Sequence, residues 1–186
     1  MLKAVLALVL VAGGVGGVAT SDSLALFTDQ ETNGANSFTA GTVDISQSPA
    51  SALVTYSNMA PGDSVIQPLV LTNAGSLELR YAISTAATND DGLGLRDQLQ
   101  LTVRVKTASA CSAEDGTVIY GPGNLSSGAI GNAATGADAG DRTLAAAAAE
   151  TLCFKVELPL ASSNSYQGAA TVATFTIDAE QTTNNP

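Results

Sequence analysis

The sequence contains no histidine and no tryptophan, only two cysteines, and 7 basic residues against 17 acidic ones. Each scarcity closes off a class of function. Without histidine the chain lacks the usual general base and the usual metal ligand. It also lacks any Ser-His-Asp or Cys-His arrangement. No catalytic role and no cofactor are therefore expected. A formal net charge of −10 argues against nucleic-acid binding, which needs clustered lysine and arginine against phosphates. The acidity instead favours solubility and mutual repulsion of surfaces. Aromatics make up 4% of the residues, so a core must be built from Val, Leu, Ile and Ala, a composition that suits a sandwich of small β-formers.

A long hydrophobic run is also missing. After Lys3 the stretch Ala4–Ala12 is wholly apolar, well short of the ~20 residues that span a bilayer. Glycines follow at positions 13, 14, 16 and 17. One positive charge, a short apolar region and then small residues is the pattern of a signal peptide. Ser23 and Ala25 supply the small residues for a cut between Ala25 and Leu26. A retained membrane anchor is the alternative, and it would be the chain's one link to a membrane. Either way the protein is expected outside the cell or at its surface.

The rest of the chain is organised around Leu26–Ser46, LFTDQETNGANSFTAGTVDIS. Its first part, Leu26–Asn36, has a short apolar start and a polar tail with no evident strand partner nearby. Its second part, Ser37–Ser46, reads as a strand interrupted by Gly41. Further strands are expected at Ala52–Ser57, at Ser64–Thr72, at Leu77–Ala86, around Leu99–Lys106, at Thr117–Tyr120, at Leu152–Leu158 and at Ala169–Glu180. Pro68 inside the Ser64–Thr72 strand favours an edge position or a bulge. Gly121–Asp141 reads as a long surface loop. The Ala-rich Leu144–Glu150 is compatible with two helical turns or with an irregular run-in to the next strand. About eight strands with frequent turn signals and no long helix imply an all-β, antiparallel sandwich or jelly roll. The expected division is a signal peptide at 1–25, an N-terminal segment at 26–36, one domain at 37–181 and a frayed tail at 182–186.

Four groups of residues invite a site. Cys111 and Cys153, in an exported chain, are expected to form a disulfide. In the chain-entropy model that closure stabilises the fold by roughly 4 kcal/mol. Asp90-Asp91-Gly92 and Asp138–Asp141 could offer oxygens to calcium, but neither matches the EF-hand loop. Asn124-Leu125-Ser126 fits the glycosylation triplet, which makes Asn124 a candidate acceptor. Tyr56, Tyr81, Tyr120 and Tyr166 are scattered and read as core or rim.

Three segments, LFTDQETNGANSFTAGTVDIS, YSNMAPGDSVIQPLVLTNAGSLELRYAIS and SYQGAATVATFTIDAEQ, together resemble the TasA/camelysin family of biofilm-matrix proteins, whose leaders are read by SipW-type signal peptidases. The resemblance implies a jelly-roll subunit that polymerises head to tail into extracellular fibres by donor-strand exchange. In that scheme Leu26, Phe27, Thr28 and Asp29 open the donor strand and enter a groove of the next subunit. Phe27, the segment's one aromatic residue, is its expected anchor. The partner is then a second copy of the chain, with other matrix proteins as further candidates. A monomeric or cell-surface module binding calcium, glycan or matrix protein is the alternative. The metalloprotease activity associated with camelysin does not carry over, because no HExxH helix can exist here.

The leader reading makes a direct prediction. N-terminal sequencing of the extracellular protein should begin at Leu26; a product beginning at Met1 would instead support the retained anchor.

Overall fold

The structure is a computed structural model that describes residues 37–51, 53–106, 111 and 116–186. The leader, the cleavage position and the 26–36 segment lie outside the described residues. Thr39–Pro186 form one compact unit. Its strands are β1 (Ile45–Ser48), β2 (Ser64–Asn73), β3 (Leu79–Ala87), β4 (Gln100–Lys106), β5 (Thr117–Asn124), β6 (Ala129–Ile130), β7 (Arg142–Leu144), β8 (Ala149–Glu157) and β9 (Ala173–Gln181). A four-residue helix, α1 (Leu95–Gln98), and 3-10 turns at Leu125–Ser127 and Asn164–Tyr166 complete the set.

The strands form two antiparallel sheets packed face to face, an all-β sandwich. The first runs β1-β2-β8-β4-β5. The second is centred on β3, with β9 along one side and β6 and β7 sharing the other. Period-two alternation explains the core. Leu69 and Leu71 on β2, Leu101 and Val103 on β4, and Leu152, Phe154 and Val156 on β8 turn inward from the first sheet. They meet Leu79, Tyr81 and Ile83 of β3, all buried. With no tryptophan available, Phe154 and Tyr81 are the bulkiest fully buried side chains.

Several elements differ from the sequence expectation, each for a local reason. In the 37–46 stretch the ladder begins only at Ile45. Upstream, the Thr42 carbonyl instead accepts from Ser76 N at 3.1 Å and Leu77 N at 3.2 Å, and Asp44 O accepts from Ala74 N at 2.8 Å. Gly75 permits this close approach, since a Cβ there would sit 2.4 Å from Thr42 O. Residues 53–57 form no strand; strand-forming residue types do not make a strand without a neighbour to pair with. Residues 144–150 contain no helix. Asn73 O captures Ala147 N at 3.1 Å, and β8 begins pairing with β2 at Ala149, so tertiary pairing overrides alanine's helix preference. β5 extends past Tyr120 through Gly121-Pro122-Gly123 into the expected loop, with register shifts against β4. Gly121 has a φ of 82°, and a Cβ there would lie 2.1 Å from Leu101 O, so only glycine fits. Pro68 sits where β2 pairs with β8 alone, because β1 reaches only Val70–Asn73.

A disulfide joins Cys111 to Cys153 with the Cα atoms 5.6 Å apart. Cys153 points away from the core between inward-facing Leu152 and Phe154, yet both cysteines are buried. The bridge therefore ties the segment after β4 across the outer face of the first sheet.

One end of the sandwich is locked by polar side chains. Glu150 of β8 accepts from Tyr81 Oη on β3 and takes Arg142 of β7 through both carboxylate oxygens, the Arg142 Nε contact being 2.8 Å. Tyr81 and Arg142 are register partners, so two strands of one sheet grip one carboxylate of the other. Beside this clasp, fully buried Asn73 donates to Leu77 O at 2.8 Å and Leu144 O at 3.0 Å and accepts from Gly75 N at 2.9 Å. Burial alone would raise the Glu150 pKa; the hydrogen bonds from Arg142 and then Tyr81 outweigh it, and the net shift is downward. Burial, and then the bond to Glu150, raises the Tyr81 pKa.

The clasp generates a prediction with a defined sign. A carboxylate whose pKa is depressed on folding stabilises the fold above its unfolded pKa, and that contribution is lost as pH falls through the folded value. Glu150→Gln should cost about 2 kcal/mol at neutral pH, in line with hydrogen bonds to charged groups. The gap from wild type should close as pH drops below the ordinary glutamate value of about 4.3. Urea melts across pH measure it; a gap that stays constant down to pH 3 would contradict the assignment.

Candidate functional site

The two sheets are unequal in width, and the inequality makes an opening. The first sheet continues past β8 to β2 and β1, whereas the second ends at β9. Among the described residues β9 pairs with β3 alone, over all nine of its positions. Its side chains alternate: Thr174, Thr176 and Asp178 are exposed, while Ala173, Phe175 and Ile177 turn toward the core but are only half-buried. Phe175 reaches Phe154 of β8 in an edge-to-face contact with ring centroids 5.0 Å apart.

A cavity of about 910 Å³ lies at the Ala173–Phe175 end of β9. Val65, Val156 and Leu158 of the first sheet, Phe175 of β9, and Leu99 and Leu125 line it. No charged side chain does. Residues 53–59, the stretch that failed to form a strand, also line it. At the rim Tyr56 and Val172 are 49% and 67% exposed, a large apolar outlay for solvent to cover. The cavity and the clasp lie at opposite ends of the strands: Glu150 is paired near Leu71 on β2, and Val156 near Val65.

Backbone-directed hydrogen bonds set the two lips. On one side Asp63 accepts from Ala60 N at 2.9 Å, while Gly62 N reaches Leu158 O at 2.7 Å and Leu158 N reaches Asp63 O at 3.0 Å. That pins the 60–63 turn to the end of β8. On the other side Asp91 accepts from Ala170 N at 2.6 Å and Leu93 N at 2.9 Å. The Ala170 amide, and then the Leu93 amide, hold its pKa below the usual carboxylate range. Thr88 pairs with Val172 in both directions, N to O at 3.0 Å and N to Oγ1 at 3.1 Å.

The residues singled out from sequence are not brought together. Cys111 and Cys153 lie on the outer face of the first sheet, away from the cavity. The Asp91 carboxylate is committed to backbone amides at the lip. Asp141 closes its own loop by accepting from Asn132 N at 2.9 Å and Asp138 N at 3.0 Å. Asn124 caps the following 3-10 turn, its Oδ1 taking Ser126 N at 2.7 Å while its Nδ2 donates to Asp97 O at 3.4 Å. Leu26, Phe27, Thr28 and Asp29 lie outside the described residues. Tyr56 and Tyr166 both line the cavity. The cavity itself went unread from sequence, although the Thr-Phe-Thr-Ile alternation of β9 carried half of the signal.

A family model described as camelysin metallo-endopeptidase matches residues 1–185, and the chain belongs to that family. No curated protein matches it. Family membership supports a secreted, structural or matrix-related protein, extracellular or at the cell surface. Among the described residues no helix is long and apolar enough to cross a membrane. The described residues do not fit the metal that the family's description implies. The chain has no histidine, and no group of three or more Cys, Asp or Glu gathers among the described residues.

Proposed function

We propose that this member of the camelysin family is the repeating subunit of an extracellular filament, in which residues 26–36 of one copy enter the open side of the next. The observation that carries the reading is the cavity at the Ala173–Phe175 end of β9, whose described lining holds no charged side chain and whose strand pairs, among the described residues, with β3 alone. An incomplete sheet presents unpaired backbone donors and acceptors. An extended segment from another chain can satisfy them and fill the space with its side chains. Eleven residues span about 36 Å at ~3.3 Å each, enough to run the length of a nine-residue strand. A contact of this head-to-tail kind need not close on itself, so it propagates. The net charge of −10 disfavours indiscriminate sticking between subunits. Assembly then depends on the specific insertion.

Deleting residues 26–36 from the secreted protein, with the leader and cut retained, tests this reading. The variant should be exported, melt as a folded unit and remain monomeric under electron microscopy and sedimentation. Added synthetic 26–36 peptide should shorten wild-type filaments. Filaments formed normally by the deletion variant would contradict the proposal.

A further inference from the structure

We infer that β9 is the rail on which the incoming segment pairs, and that it turns the row Leu26, Thr28, Gln30 and Thr32 into the cavity, leaving Phe27, Asp29 and Glu31 on the outer face. This rests on the filament reading above and adds the edge, the facing and the residues that set specificity.

The edge follows from how the sheets end. β1 is four residues long, and only Ile45 of it is half-buried. β5 is broken by Gly121, Pro122 and Gly123, with its register shifted. β9 has nine residues, ATFTIDAEQ, without glycine or proline, and an unbroken register on its β3 side. Charged side chains, one of the devices that blunt an edge, come only at Asp178 and Glu180. The other half, Ala173–Ile177, is unguarded, and that is the half whose Ala173 and Phe175 line the cavity.

The facing follows from parity. A strand added beside β9 must alternate in step with it, parallel or antiparallel, so one row of its side chains faces the cavity and the other faces outward. Residues 26–36 read LFTDQETNGAN. The odd row holds Phe27 but also Asp29 and Glu31; the even row holds Leu26, Thr28, Gln30 and Thr32 and carries no charge. The cavity offers no charged side chain to pair with a carboxylate, and burying unpaired ions is far costlier than forgoing one aromatic contact. On the outer face, beside exposed Thr174 and Thr176, water solvates both carboxylates. Polar cavity groups such as Asn164 and Gln167 suit the amide and hydroxyls of the even row. This reverses the sequence expectation that Phe27 is the anchor.

The test compares charge placed in each row of the full-length secreted protein, reading the concentration at which filaments first sediment. Thr28→Asp should raise that threshold at least tenfold, and Phe27→Asp by less than threefold, with monomer melting unchanged in both. The opposite order would overturn the row assignment. A second measurement avoids reliance on charge: Thr176→Cys is combined with a cysteine at each position from 27 to 31, and filaments are oxidised. Intersubunit disulfides should form at the odd positions, which share the outer face with Thr176. Links only at even positions would overturn the facing, and no links at any position would overturn β9 as the rail. These failures are separable from failure of the filament reading, which alone predicts that the 26–36 deletion abolishes filaments.

Discussion

A β-strand's backbone groups must be hydrogen-bonded to something, and among the described residues the longest regular strand paired on one side only is β9. Its edge toward β3 is paired along all nine residues, and its Ala173 and Phe175 line the cavity. Edges elsewhere are kept short or irregular by β1's length and by the Gly-Pro-Gly run of β5. An edge that is long, regular and partly uncharged is a liability in a soluble monomer and an asset in a subunit that must bind its like.

The rest of the fold confines that opening. The Tyr81–Glu150–Arg142 clasp and the saturated Asn73 hold the sheets together at one end of the strands. The cavity lies at the other end, between lips fastened by Asp63 and Asp91. The Cys111–Cys153 bridge secures the outer face of the wider sheet without touching the cavity. The polar clasp and the cavity thus lie at different ends of the same strands. A core of Leu, Val and Ile can then remain closed while Phe175 and Ile177 stay half-buried and available.

Much of this was legible in the residues. Alternation at Leu101-Thr102-Val103 and Leu152-Cys153-Phe154 announced half-buried strands, and their burial follows that alternation. The pairing of the two cysteines was legible from their number. The Ala-rich run before β8 misled because alanine's helix preference is weak beside a strand register that begins at Ala149. Residues 53–57 misled in the opposite sense: their side chains suit a strand, but among the described residues no strand pairs with them. The cavity's place was only half legible: the alternation of β9 was readable, but the position depends on long-range strand order such as β2 beside β8 and β3 beside β9. Where strand order leaves one edge open, the sequence of β9 alone cannot say which of its two edges that will be.

The central claim is that this edge is closed by another copy of the chain. Backbone hydrogen exchange at residues 173–181 reads it most directly, compared between monomer and filament. Amides bonded to β3 should be protected in both states, while the alternate amides facing the open side should exchange rapidly in the monomer and slow by at least a hundredfold in the filament. Exchange at those alternate amides that is the same in monomer and filament would contradict the account.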